Sequence, residues 1–207
     1  MPKRVDHELR RREIGEALLR IAGTRGLAAA GMRQVAAEAG VSLPLVQYYF
    51  GSKDELLLQA LRYLGEQLWD RVQEAVRPLD PVMTAPRRVL EATLCAVLPL
   101  DEQSRRIMLA YNAYYTLAVT EPNPATRHAL THPDAMERLL AGSIRRAQRD
   151  GVLAGRDPQI IAAGLLALTN GLSLSVLSGQ KDGDAARAVL ADHLDRLVGS
   201  SAVGPEG

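Results

Sequence analysis

Between Ser42 and Lys53 the chain reads Ser-Leu-Pro-Leu-Val-Gln-Tyr-Tyr-Phe-Gly-Ser-Lys, which puts a carboxamide, two phenols and an ammonium within twelve residues. None of these is a nucleophile beside a base. They are donors and acceptors suited to reading a surface. Gln47 can make a bidentate contact to adenine or several weaker contacts elsewhere, and Leu43 and Pro44 can touch thymine methyls. Lys53 stands at a helix start, where free backbone amides attract a phosphate. Ser42, Tyr48 and Tyr49 complete the outward set. For each tyrosine a core ring with a satisfied hydroxyl is the competing reading.

Other chemistry is sparse. His128 and His132 have an i, i+4 spacing, but no acidic residue completes a metalloprotease motif and Pro133 follows directly, so no metal is expected. Cys95 has no histidine or cation close in sequence, which favours a buried structural thiol over a nucleophile. A single cysteine excludes an intramolecular disulfide framework and suits a reducing cytoplasm. There is no glycine-rich phosphate loop. Neither a cofactor nor an enzymatic activity is expected.

The elements that must carry the first set are legible in their punctuation. Met32 to Ala39 repeats apolar residues at Val35, Ala36 and Ala39, a helical spacing. Gly40 can end that helix with a positive φ. Ser42 is an N-cap for a second short helix, and Pro44 sits in its first turn, where a missing N–H is harmless. Gly51 breaks this helix, and Ser52 with Glu55 has the spacing of a capping box. Helix, three-residue turn, helix over about 31–50 is a helix-turn-helix, whose second helix can lie in a DNA major groove. Val35, Val46 and Phe50 are its expected inward residues. Ile14, Ala17, Leu18 and Ile21 form the buried stripe of a first helix from about His7 to Thr24. Residues 2–12 read either as a frayed, solvated end or as a basic arm reaching DNA.

Ala36-x-x-Ala39-Gly40-Val41-Ser42 followed by Tyr49-Phe50-x-Ser52-Lys53-x-x-Leu56 resembles the TetR family of bacterial one-component regulators. The resemblance covers roughly residues 8–68. It departs at Gly31, where threonine is usual, and at Gln47, where the family usually has tyrosine. It implies backbone and base-edge contacts for Tyr48 and Tyr49, a phosphate contact for Lys53 and a DNA-reaching position for Arg33.

Charge agrees with that placement. Residues 1–53 hold nine Lys/Arg and five Asp/Glu, a balance of +4, whereas residues 54–207 hold sixteen and nineteen, a balance of −3. The basic end coincides with the helix-turn-helix, as expected of a surface that meets phosphates.

The remainder reads as helices without strands. Helices are expected over about 54–77, 86–98, 101–120, 133–149, 158–177 and 184–198, with a short turn near 126–130. The long helix from Asp54 carries Leu57, Leu61, Leu64, Leu68 and Val72 on one side. Pro158 to Gln180 is uncharged for 23 residues, long enough to span a bilayer. Thr169, Asn170, Ser173, Ser175 and Ser178 dilute it, and a helix buried in protein is the expected outcome, with no membrane partner.

The expected architecture is therefore all-α: a helix-turn-helix domain over 8–68, a larger helical bundle over 69–199 and a disordered tail over 200–207. The resemblance implies an effector site between helices of the bundle. Tyr111 and Tyr115 are its main candidates, with Trp69, Met108, Asn112, Met136, Thr169, Asn170 and Ser173 behind them. Gly164, Gly171, Ser175 and Ser178 put small side chains along one side of a helix; with Leu190, Leu194 and Leu197 they suggest a four-helix dimer contact. Two-fold symmetry then requires paired recognition helices and a palindromic operator. The expectation is a cytoplasmic homodimeric repressor released from double-stranded operator DNA by a small molecule. The alternative is a DNA-binding interaction protein of the same fold, controlled by a protein partner or by no ligand.

Overall fold

The computed structural model describes residues 2–79, 85–121, 131–153 and 155–199. Among them are nine α-helices and no strand. They are α1 (Pro2–Arg25), α2 (Met32–Glu38), α3 (Leu43–Phe50), α4 (Lys53–Val76), α5 (Pro86–Ala96), α6 (Glu102–Thr120), α7 (Thr131–Arg149), α8 (Pro158–Leu177) and α9 (Gly183–Gly199). A single 3₁₀ turn, Leu27–Ala29, links α1 to α2 and was not anticipated. The expected tail over 200–207, the turn near 126–130, His128 and the side chain of His132 lie outside the described residues.

The chain divides into two compact units. The first comprises residues 1–68 and 105–132, the second residues 69–104 and 133–207. In the first, Ile14, Leu18, Ile21, Val35, Val46, Phe50, Leu61 and Leu64 form one core, joined by Ile107, Ala110 and Tyr114 of α6. Sequence spacing placed α6 with the bundle; its apolar stripe fits either core, and only tertiary packing decides between them. The Tyr114 hydroxyl donates to the Leu57 carbonyl at 2.6 Å, and burial pushes its pKa up. Tyr114 is thus a core ring with a satisfied polar end.

The second core gathers Leu90 and Leu94 of α5, Leu140 and Ile144 of α7, Leu165 and Leu172 of α8, and Leu190, Leu194 and Leu197 of α9. The reciprocal pair of Asp101 and Ser104 starts α6: Asp101 Oδ1 accepts the Ser104 N–H at 2.7 Å and Ser104 Oγ accepts the Asp101 N–H at 3.0 Å. Arg71, near the end of α4, reaches Asp101 Oδ2 at 2.6 Å and the Ala96 carbonyl at 3.3 Å. After α7, Gln148 Nε2 donates to the carbonyls of Leu153 and Arg156, holding a turn in which buried Leu153 takes a φ of 63°.

Candidate nucleic-acid interface

The helix-turn-helix is built as its punctuation required. Gly40 adopts a φ of 66° and Gly51 one of 61°, conformations that cost a side chain and suit glycine. Ser42 Oγ accepts the Leu45 N–H at 3.3 Å and caps α3, with Pro44 in the first turn. A cap of this kind stabilises a helix by about 1 kcal/mol. Ser52 Oγ caps α4 through the Glu55 N–H at 3.2 Å. Only that half of the expected capping box forms, because the Ser52 N–H goes to the Phe50 carbonyl. Gly31 precedes α2 with an ordinary extended backbone and supplies no side-chain cap.

Val46 and Phe50 are buried on the inner side of α3, and Val35 on that of α2. The opposite side of α3 presents Ser42, Pro44, Gln47 and Tyr48 to solvent, Tyr48 at 72 % exposure. Leu43 and Tyr49 are half-buried, packed at the edge of the core. The core reading is thus excluded for Tyr48 and half true for Tyr49. Arg33 and Lys53 are exposed, and neither makes an ion pair among the described residues. By contrast Arg10 pairs with Glu13 at 2.6 Å, and Glu38 pairs with Arg20 at 2.9 Å and Arg25 at 3.8 Å. Internal pairing takes up these other cations, whereas Arg33 and Lys53 beside α3 make no ion pair among the described residues.

Residues 2–12 belong to α1, which is helical from Pro2. Its early part touches the reader: Arg11 Nη2 donates to the Tyr49 carbonyl at 3.0 Å, and the His7 ring meets those of Tyr48 and Tyr49. Sequence reasoning missed both contacts, which join positions about forty residues apart and leave no periodic trace.

The effector candidates divide between the units. In the first, Tyr111 and Tyr115 are half-buried on α6 with ring centroids 5.4 Å apart, near buried Met108. Burial, and secondarily Tyr115, push the Tyr111 pKa up. Asn112 Nδ2 donates to the Met108 carbonyl at 2.8 Å, so its amide is partly occupied within the helix. In the second unit Met136 is half-buried, and Thr169 is buried with its hydroxyl on the Leu165 carbonyl at 2.8 Å. Ser173 Oγ is buried and has no hydrogen-bond partner among the described residues. Two further candidates are exposed in the single chain. Trp69 keeps 46 % of its surface accessible. Asn170 points outward from α8, on the side of Gly171 rather than that of Thr169. A shallow depression of about 440 Å³ on α7 is lined by Gly142, Arg145, Gln148 and Arg149, none of them an expected ligand residue.

The expected dimer set also splits. Leu190, Leu194 and Leu197 are 0, 0 and 7 % exposed within a single chain, so they build the subunit's own core and not a partner contact. A stripe at i, i+4, i+7 looks the same whichever body it meets. Gly164, Gly171 and Ser178 are exposed and Ser175 half-exposed; with Ile160 (72 %), Ala163, Ala167 and Leu174 (58 %) they make one bare, uncharged side of α8. α8 is long and apolar enough to cross a membrane, but its other side, through Ile161, Leu165 and Leu172, belongs to the second core.

Residues 14–60 match the family model of bacterial regulatory proteins of the tetR family, and residues 86–199 match that of the C-terminal region of BetI-type transcriptional repressors. The chain belongs to the TetR family. It is similar to the HTH-type transcriptional regulator PksA of Bacillus subtilis, 31 % identical with 95 % of this chain and 94 % of that one covered. The HTH-type transcriptional regulator BetI of Paraburkholderia phytofirmans is 30 % identical, with 97 % and 99 % covered. Among solved structures, a transcriptional regulator from Rhodococcus sp. is 28 % identical with a TM-score of 0.79, covering 94 % of this chain and 99 % of that one. A transcriptional regulator from Saccharomonospora viridis, solved in complex with choline, is 28 % identical with a TM-score of 0.78, covering 89 % and 95 %.

This TetR-family chain is therefore a DNA-binding transcriptional regulator, and α2–α3 is its helix-turn-helix. At Cys95, burial first and the Glu91 carboxylate second push the thiol pKa up.

Proposed function

We propose that the chain is a homodimeric repressor that holds a palindromic operator and releases it when a small organic molecule binds. Residues 8–68 are its reader, and the helices over 69–199 are its effector-binding and dimerisation part, with α6 packed in the same unit as the reader. The observation that carries this reading is the solvent-facing row Ser42, Pro44, Gln47 and Tyr48 on α3, flanked by the exposed cations Arg33 and Lys53. A row of this composition serves no core. It offers hydrogen bonds and π-faces to base edges while the cations neutralise phosphates.

The bare side of α8 supports a two-fold contact. Glycine and serine there let a second helix approach closely, and two-fold pairing would set the recognition helices roughly 34–36 Å apart or a multiple of that. For the effector, the half-buried Tyr111–Tyr115 pair with Met108 offers π-faces and a polarizable thioether to a small organic cation. The choline-bound neighbour makes choline a sensible first probe. Release is a population shift, in which the effector favours the arrangement that fits DNA less well. A tenfold loss of operator affinity needs about 1.4 kcal/mol of coupling. α4 is the proposed transmitter, because Leu57, Leu61 and Leu64 sit in the reader's core and Arg71 anchors its far end to the start of α6.

The test is binding of the purified chain to the duplex upstream of its own gene, with and without choline and a small-molecule panel. We expect two chains per site at low salt and a weakened complex with at least one compound. Failure to bind any duplex at low salt would overturn the reading. Unaltered binding throughout the panel would favour control by a protein partner.

A further inference from the structure

The early part of α1 has no role in the reading above, yet it meets the recognition helix at two points. Tyr49 contributes one of the last carbonyls of α3, which have no N–H donor inside the helix. The Gly51 N–H goes to Gln47 and the Ser52 N–H to Phe50. Arg11 fills the vacancy from outside, with Nη2 3.0 Å from the Tyr49 oxygen and its guanidinium carbon 5.9 Å from the centre of the Phe50 ring. One turn earlier, His7 meets Tyr49 edge-on at 5.1 Å and Tyr48 at 6.1 Å, while Tyr48 and Tyr49 meet each other edge-on at 5.4 Å. His7 and Arg11 are one helical turn apart on α1, so a single edge of that helix grips both the terminal carbonyl and the outward rings of α3.

We propose that Arg11 and His7 are positioning residues of the DNA reader: Arg11 fixes the C-terminal end of α3, and His7 holds the rings of Tyr48 and Tyr49 in the orientation presented to DNA. The inference rests on α3 being the reading helix. A ring 72 % exposed has little of its own packing to choose a rotamer, and neighbouring rings supply that choice. Sequence discrimination then depends on two side chains that touch no base. Arg11 resembles a phosphate ligand in sequence but directs a guanidinium N–H to the Tyr49 carbonyl.

The full-length chain tests this with two probes, a duplex enriched from a randomised library by the wild type and a scrambled duplex of equal length. Arg11→Ala should lower the enriched-to-scrambled affinity ratio about tenfold, in keeping with one charge-assisted hydrogen bond and a ring contact. The salt dependence of binding should keep its slope. His7→Ala should lower the ratio about threefold and His7→Phe should restore it, because ring packing and not charge is at work. An unchanged ratio in Arg11→Ala and His7→Ala overturns the proposal. So does a slope reduced by about 0.9 per subunit in Arg11→Ala, which marks a direct phosphate contact. If Arg11→Ala lowers the melting temperature by more than about 5 °C, itself over 1 kcal/mol of stability, the exposed His7 pair decides. Enrichment of no sequence by the wild type refutes the reading helix itself, a result distinct from a retained ratio.

Discussion

α3 and α8 each bury one side in a core and leave the other uncovered, but what they leave uncovered differs. The bare side of α3 carries Ser42, Pro44, Gln47 and Tyr48; that of α8 carries Ile160, Ala163, Gly164, Ala167, Gly171 and Leu174. The first is polar and aromatic beside the exposed cations Arg33 and Lys53. The second is small, apolar and uncharged. An outward side contributes little to folding its own chain, so its composition bears on what it meets: a polyanion with hydrogen-bonding edges for α3 and, on the proposed reading, a second copy of the chain for α8. The inward sides are alike, both apolar, and so carry no such information.

Breaking an inward side should do the most damage. Phe50 is among the largest fully buried side chains of the first core. Phe50→Ala should cost about 3–5 kcal/mol, comparable with the stability of a small domain. DNA binding and the thermal transition of the reader should be lost together in a melt followed by circular dichroism. An intact melt with altered sequence preference would place Phe50 on the reading surface instead.

The outward side of α8 should fail differently. A side chain added at Gly171 meets nothing within 4 Å in the single chain, and its φ is not positive. Gly171→Glu should therefore fold, with local helix propensity improved by up to about 1 kcal/mol. Its charge should prevent close pairing, giving monomers by light scattering and an operator affinity reduced at least about a hundredfold. That estimate follows from losing the second, linked reading event, which multiplies affinity by roughly 10²–10⁴. A normal dimer would remove α8 from the interface and leave its bare side unexplained.

Within the reading side, charge and shape should separate. Lys53→Ala should weaken enriched and scrambled duplexes alike and reduce the salt slope by about 0.9 per subunit. Gln47→Ala should instead relax preference at one or two positions of each half-site, worth about 1–3 kcal/mol at each. Titrations at several salt concentrations and a site-selection profile distinguish them. An unchanged profile for Gln47→Ala would shift base reading to Tyr48 and Tyr49.

Much of this contrast was legible in the sequence. Gly40, Ser42, Pro44 and Gly51 placed the ends of α2 and α3, and Asp157–Pro158 placed the start of α8, because caps and breakers act on their own neighbours. The buried stripes of α1 and α4 followed from their period. What the period could not show was which body a stripe would meet. Leu190, Leu194 and Leu197 went to the subunit's own core, and Ile107 and Tyr114 of α6 to the core of the first unit. The clamp of Arg11 and His7 on α3 was hidden for a related reason, since a contact between distant residues imposes no spacing on either.

The smallest effect should come from the joint that holds α4 to the start of α6. Asp101 is partly desolvated, which by itself would raise its pKa. The Ser104 N–H and the Arg71 guanidinium outweigh that and hold it below the usual carboxylate range. A depressed carboxylate stabilises the fold above its ordinary pKa of about 4 and loses that stabilisation as the pH falls through the folded value. In Asp101→Asn the amide oxygen can still accept from Ser104, but an NH2 group replaces the oxygen that accepts from Arg71, so the charge and that hydrogen bond are lost together. Half of the Asp101 side chain is exposed, and solvent screening keeps the loss below about 1 kcal/mol. The variant should melt slightly below the wild type at pH 7, and the two should converge as the pH falls through the depressed folded pKa, where the wild-type carboxyl becomes neutral. A difference that persisted at low pH would mean that packing, and not the ion pair, joins Asp101 to Arg71. α4 would then be held at that joint by contacts indifferent to charge.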